Sequence, residues 1–352
     1  GTTDIDTSAG NADITLNTNT HSLATLIVDA GTGAVDIDET DALTLQVDGA
    51  GDVTVDSVGA LTLNAGSMSN LTVTDATSIT DAGALTVTGT TDLDTSTANG
   101  AIVLDTFTHN LNTFTADAGT GAIDIDETDA LDLGDTTTSA LTITAGGAVS
   151  DSGTLTVSGT TDIDTSAGNG AITLNTNTHS LNNLVVDAGT GNVDIDETDA
   201  LTLQVDGAGD VTVDSVGALT LNAGSMANLT VTDADSVTDA GVLSITSTAD
   251  IDTSLANGNV DLNNNTHNLA SLVVDAGTGT LDVAETDALT LQVDNAGAVT
   301  LDTVGDLTLN TGSMTGLTVT AANSVTDAGA LTISGTTDID TSAANGNIDL
   351  NN

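Results

Sequence analysis

The chain contains no lysine, arginine, cysteine, proline, tryptophan or tyrosine, and only two phenylalanines. The missing aromatics exclude a bulky globular interior, so any core must be filled by Val, Ile, Leu and Ala and must be narrow and repetitive. Without proline no backbone N–H is lost, and every strand can donate a full ladder to its neighbour. With no basic residues, 51 acidic side chains stand uncompensated and the formal net charge is -51. That charge opposes contact with nucleic acid phosphates and with an anionic membrane surface. The lack of cysteine is compatible with either redox compartment. No apolar run approaches the roughly 20 residues of a membrane span, so no membrane insertion is expected. No charged-then-apolar leader opens the chain, and Gly1 begins in mid-pattern, as in a processed chain or an excerpt from a longer one.

So acidic a chain could be disordered, but a hydrophobic fraction of 38% and strict period-two alternation argue for a fold. Thr40 to Ser57, TDALTLQVDGAGDVTVDS, matches Val58 to Asp75, VGALTLNAGSMSNLTVTD, at a spacing of 18. Leu43 and Leu45 fall on Leu61 and Leu63, and Val53 and Val55 fall on Leu71 and Val73. Each pair marks a short alternating strand. A fixed period of this size describes a unit that cannot bury its apolar side alone and must stack on the next. Polar Thr44 and Thr54 then point outward and lie over Thr62 and Thr72.

A longer repeat contains this unit. GTTDIDTSAGN at Gly1 returns unchanged at Gly159 and in variant form at Gly89, Ser247 and Gly335, defining copies 1–88, 89–158, 159–246, 247–334 and a partial copy 335–352. Apolar runs divide an 88-residue copy into rungs of 18, 21, 18, 18 and 13 residues, whereas the 70-residue second copy lacks one 18-residue rung. Loss of a whole coil is tolerated by nearest-neighbour stacking and not by a globular core. Clusters of Gly, Asn, Asp and Ser such as DAGTG at Asp29 supply the corners. The expected fold is all-β: one continuous right-handed parallel β-helix, or β-solenoid, over residues 1–352, with about 18 residues per rung and about 20 rungs. Hexapeptide spacing is absent, and the nonapeptide spacing of calcium-binding β-rolls is not met.

Runs such as GALTLNAGSM at Gly59 to Met68 and GAITLNTNTHSLNNLVVDAGTGNVDI at Gly170 to Ile195 resemble the filamentous haemagglutinin type of repeat in bacterial surface adhesins. The resemblance covers nearly all of the chain through a loose motif. It implies an extracellular or cell-surface rod that spaces an adhesive tip from the cell. Its partners would be flanking solenoid repeats or further copies of itself, and a host or neighbouring-cell surface.

Four histidines, His21, His109, His179 and His267, recur at one offset. At about 24 Å between equivalents they cannot share a metal, and they read as surface or corner residues. Met68, Met226 and Met314 recur likewise, as gap-fillers do. No Gly-x-Ser-x-Gly elbow and no Ser/His/Asp set stands out, so no enzyme is expected. The candidate site is acidic. In VDIDETD at Val35, Asp36 and Asp38 share a strand face with Asp56 beneath Asp38, and the pattern recurs at Asp124 and Asp126 and at Asp194, Asp196 and Asp214. Such carboxylates repel across distances shorter than the ~8 Å screening length, and Ca²⁺ would relieve them. The alternative is a hydrated strip that keeps the surface soluble. The preferred function is a structural segment, an adhesin stalk or surface filament. The rival is a calcium- or glycan-binding surface module of a giant secreted protein.

Overall fold

The computed structural model describes residues 1–351; Asn352, the end of the partial fifth copy, lies outside them. All regular structure among the described residues is β, in strands that pair in parallel. The chain groups into two compact units, Gly1–Leu181 and Asn182–Asn352, and each is built as a parallel β-solenoid.

The stacking read from the sequence is the stacking observed. Leu43 and Leu45 pair with Leu61 and Leu63, and Val53 and Val55 with Leu71 and Val73, so residues 18 apart lie on adjacent turns. Strand Leu43–Gly49 buries Leu43, Leu45 and Val47 and turns Thr44, Gln46 and Asp48 outward. The inward leucines and valines are at most 3% exposed. Burial of such side chains stabilises by about 1.5–3 kcal/mol each, and identical side chains over one another give dry aliphatic columns. Outward Thr columns form too: the Thr62 and Thr80 hydroxyls lie 3.4 Å apart. Met68 is 4% exposed, and its Cε fills the space that a Cβ on Gly66 would need, 2.9 Å away.

The chain makes about 18 turns of about 19 residues, against 20 rungs expected, and the difference has a geometric cause. Two of the strand ladders show it by the number of steps a copy takes along each. In the first unit one ladder steps through Ile14, Val35, Val53, Leu71, Thr91 and Phe114, and Phe114 is the second copy's equivalent of Leu26. The other steps from Thr25 through Thr44, Thr62 and Thr80 to Val103, the equivalent of Thr15. Five steps on one ladder and four on the other mean that an 88-residue copy makes four and a half turns. The 13-residue piece Ala76 to Thr88 is therefore part of a turn. Ile14 and Ile102, equivalent in sequence, lie on different ladders. The short copy keeps the half turn: only three steps, through Leu133 and Val149, lead from Phe114's strand to Ile172. In the second unit, Val193 steps to Val211 and Leu229 on one ladder, while its equivalent Leu281 lies on the other with Val260 and Val299.

Corners are fixed by local polar chemistry. In each DTSxxN corner the Asn takes a left-handed conformation, as Asn99 does at φ 56°, and its Oδ1 accepts the Thr120 N–H of the next turn at 2.9 Å. Thr95 Oγ1 closes the corner on the Gly100 carbonyl at 2.7 Å.

Because contacts reach only adjacent turns, deleting Val58 to Asp75, which reproduces the short second copy, is expected to leave a folded chain. Its β-type circular dichroism per residue should be unchanged and its unfolding cooperative. A molten or aggregated product would show that the rungs are not interchangeable.

Candidate functional site

The acidic strip lies where the alternation puts it. Asp38 pairs with Asp56, and Asp36 with Thr54. Asp196 pairs with Asp214, and Asp194 with Thr212. In the second copy Asp124 and Asp126 face Thr142 and Thr144 instead, and in the fourth Ala284 faces Asp302. Carboxylate-over-carboxylate stacking thus occurs at Asp38 and Asp196, and in the fourth strip at Asp282, which pairs with Asp261 of the turn before it. Partial desolvation, then Asp38 and Asp75, hold the Asp56 carboxyl above the usual range; desolvation, Asp105 and Asp126 do the same for Asp124. For Asp126 desolvation and Asp105 outweigh a hydrogen bond from Thr144. Asp36 is engaged by the Asn17 amide. Among the described residues no three or more His, Asp or Glu side chains converge closely enough to hold a metal ion.

A second set of ionisable groups is buried. His109, His179 and His267 are 1%, 0% and 0% exposed, which corrects the expectation of surface or corner residues. Each lies against an aspartate contributed by the preceding copy. Nε2 of His109 is 3.4 Å from Asp81 Oδ2, that of His179 3.6 Å from Asp151 Oδ2, and that of His267 3.5 Å from Asp239 Oδ2. On the other side of each ring, Nδ1 accepts a backbone N–H from Leu85, Leu155 or Leu243 at 3.0, 3.1 and 3.1 Å. A ring nitrogen that accepts carries no proton, so the imidazole is the neutral tautomer with its hydrogen on Nε2, facing the carboxylate.

The aspartates have further work. Asp81 accepts the N–H groups of Thr106 and Phe107 at 3.3 and 2.8 Å. Asp151 accepts those of Asn175, Thr176 and Asn177 at 2.9–3.1 Å, and Asp239 accepts Asn264 N–H and the Asn265 amide at 3.1 and 2.9 Å. Each carboxylate therefore holds the bend that delivers the histidine. His21 is half-buried.

One turn further on, each of three histidines meets a buried glutamate: His21 pairs with Glu39, His109 with Glu127 and His267 with Glu285. Glu127 is 3% exposed. Its Oε2 accepts Leu111 N–H at 2.8 Å, and its Oε1 accepts those of Thr128 and Asp129 at 2.9 and 3.2 Å. Burial pushes this carboxyl up to about 7 against the pull of those three donors, and it pushes Glu285 up likewise. Burial also holds the three histidines below their usual range, with the partner aspartates pulling the other way. Sealed from solvent, these groups join one turn to the next.

Residues 50–118, 120–188, 208–276 and 296–352 match a family described as repeats of unknown function (DUF5649). No curated protein matches the chain, and no solved structure matches it.

Proposed function

The chain belongs to the family of repeats of unknown function (DUF5649), and we propose that it is a structural spacer: a segment of an extracellular bacterial β-solenoid serving as adhesin stalk or surface filament. The observation that carries this reading is the turn-on-turn register, in which each turn is covered by the next and any number of turns can be stacked. Surface composition supports exposure. Outward Thr and Asp side chains keep the strand faces hydrated, and 51 acidic residues without one basic residue discourage lateral association and leave trypsin-like proteases nothing to cleave. On this reading the adhesive contact belongs to another part of the assembly.

Two measurements test it. Variants with one or two extra 88-residue copies should lengthen by a constant increment per copy in scattering or electron micrographs. Antibody against the chain should label intact cells, with the label removed by a broad-specificity protease and left by trypsin. Labelling only after lysis would end the surface reading, and a length that does not track copy number would end the spacer reading.

A further inference from the structure

The buried Asp–His contact occurs at one kind of place, where one sequence copy hands over to the next. Asp81 and Leu85 belong to the first copy and His109 to the second; Asp151 and Leu155 precede His179 in the same way, as Asp239 and Leu243 precede His267. Each ring accepts a backbone N–H from the preceding copy and lies against that copy's aspartate, and the first of these contacts requires an unprotonated Nδ1. Protonation puts a hydrogen on Nδ1 that faces the leucine N–H, so donor meets donor inside the core and the amide loses its acceptor. We propose that these histidines are acid-sensitive joints: proton uptake by the imidazole loosens the boundaries between copies while the interior of each copy stays paired.

The groups that bear on each ring set the sense of the response. His109 is faced by Asp81 on strand Ser78–Asp81 and by Asp126 and Glu127 on strand Ala122–Glu127. His267 is faced by Asp239 and by Glu285, and His179 by Asp151. Desolvation outweighs the neighbouring aspartates and lowers the histidine values from 6.5. As pH falls through 6.5 the unfolded chain therefore takes up protons before the folded one does, and stability due to the neutral ring, present above that pH, drains away. Glu127 runs the opposite way: its value rises from 4.5 to about 7, so its contribution is largest below 4.5 and is lost as pH rises through 7. A melting curve of the native chain alone mixes the two senses.

The experiment separates them. Protection factors of the Leu85, Leu155 and Leu243 amides are measured by hydrogen exchange from pH 7.5 to pH 5, against Leu45 and Leu203 within copies. Below the depressed histidine value the three junction amides are expected to lose protection by about tenfold per pH unit, with the internal amides unchanged. In parallel, the native chain is melted beside the triple variant His109→Gln, His179→Gln and His267→Gln, whose junctions do not titrate. The native melting temperature should fall relative to the variant as pH drops below 6.5. Junction amides that keep their protection relative to internal ones would overturn the proposal, as would histidines titrating at their ordinary value. If the triple variant does not fold, the exchange profile of the native chain decides alone.

Discussion

Replacing Asp239 with alanine is expected to destabilise its unit by about 2–5 kcal/mol, since two buried donors lose their acceptor at roughly 1–3 kcal/mol each. Asp239 is 4% exposed, accepts the Asn264 N–H and the Asn265 amide, and lies 3.5 Å from His267 Nε2. Alanine leaves these donors facing apolar surroundings. Asparagine keeps one oxygen and is expected to cost less, about 1–3 kcal/mol. The control is Asp206→Ala, at an exposed carboxylate held by the Gln204 amide, with an effect within about 0.5 kcal/mol. Urea unfolding followed by circular dichroism gives the comparison, and hydrogen exchange localises it to the boundary between copies, since unfolding of a stacked array need not be two-state. Equal effects at positions 206 and 239 would show that the buried contact does not hold the turns together.

The second large effect is expected from Gly258→Val. A Cβ at this position would sit 1.9 Å from the carbonyl oxygen of Asp235 and 2.7 Å from its carbon. The obstruction is backbone of the turn beneath, and no side-chain rotation relieves it. Equivalent glycines meet the same obstacle: Gly100 at 1.8 Å, Gly170 at 2.3 Å and Gly346 at 1.5 Å. Separating the two turns breaks ladder hydrogen bonds as well as packing, so the cost should exceed about 3 kcal/mol. For a unit of this size that is roughly a 6–12 °C fall in melting temperature. Gly10→Ala is the control, because the nearest atom to its added Cβ is 4.0 Å away and Ala98, Ala256 and Ala344 already stand at that offset. An unchanged melting temperature for Gly258→Val would mean that the turns are not in the close contact described.

The two sequence positions that best announced the fold were Leu43 and Leu61, because a period-two strand and an 18-residue offset together leave few ways of burying both. What escaped was the half turn. Counting apolar runs does not reveal it, since a run on one ladder and a run on the other look alike until the pairing is known. The buried histidines escaped for a different reason: their recurrence was read as distance between equivalents, whereas the partner of each comes from a non-equivalent position 28 residues earlier, as Asp81 does for His109. A signal was present. Asp81 shares the inward parity of Ile79, His109 that of Leu111, and Glu39 that of Val35 and Ile37. Alternation applied to polar residues as strictly as to apolar ones would have sent all three into the core, where only mutual satisfaction makes them tolerable. The acidic strip was legible for the same reason in reverse, as its residues have outward parity.

Because a copy closes on a half-integer of windings, gaining or losing one copy exchanges the roles of the two ladders for everything downstream, whereas gaining or losing two restores them. A lineage that varies its repeat number by ones would therefore alternate which side displays a given side chain. The missing coil of the short copy, being a whole winding, alters length alone and leaves that parity untouched.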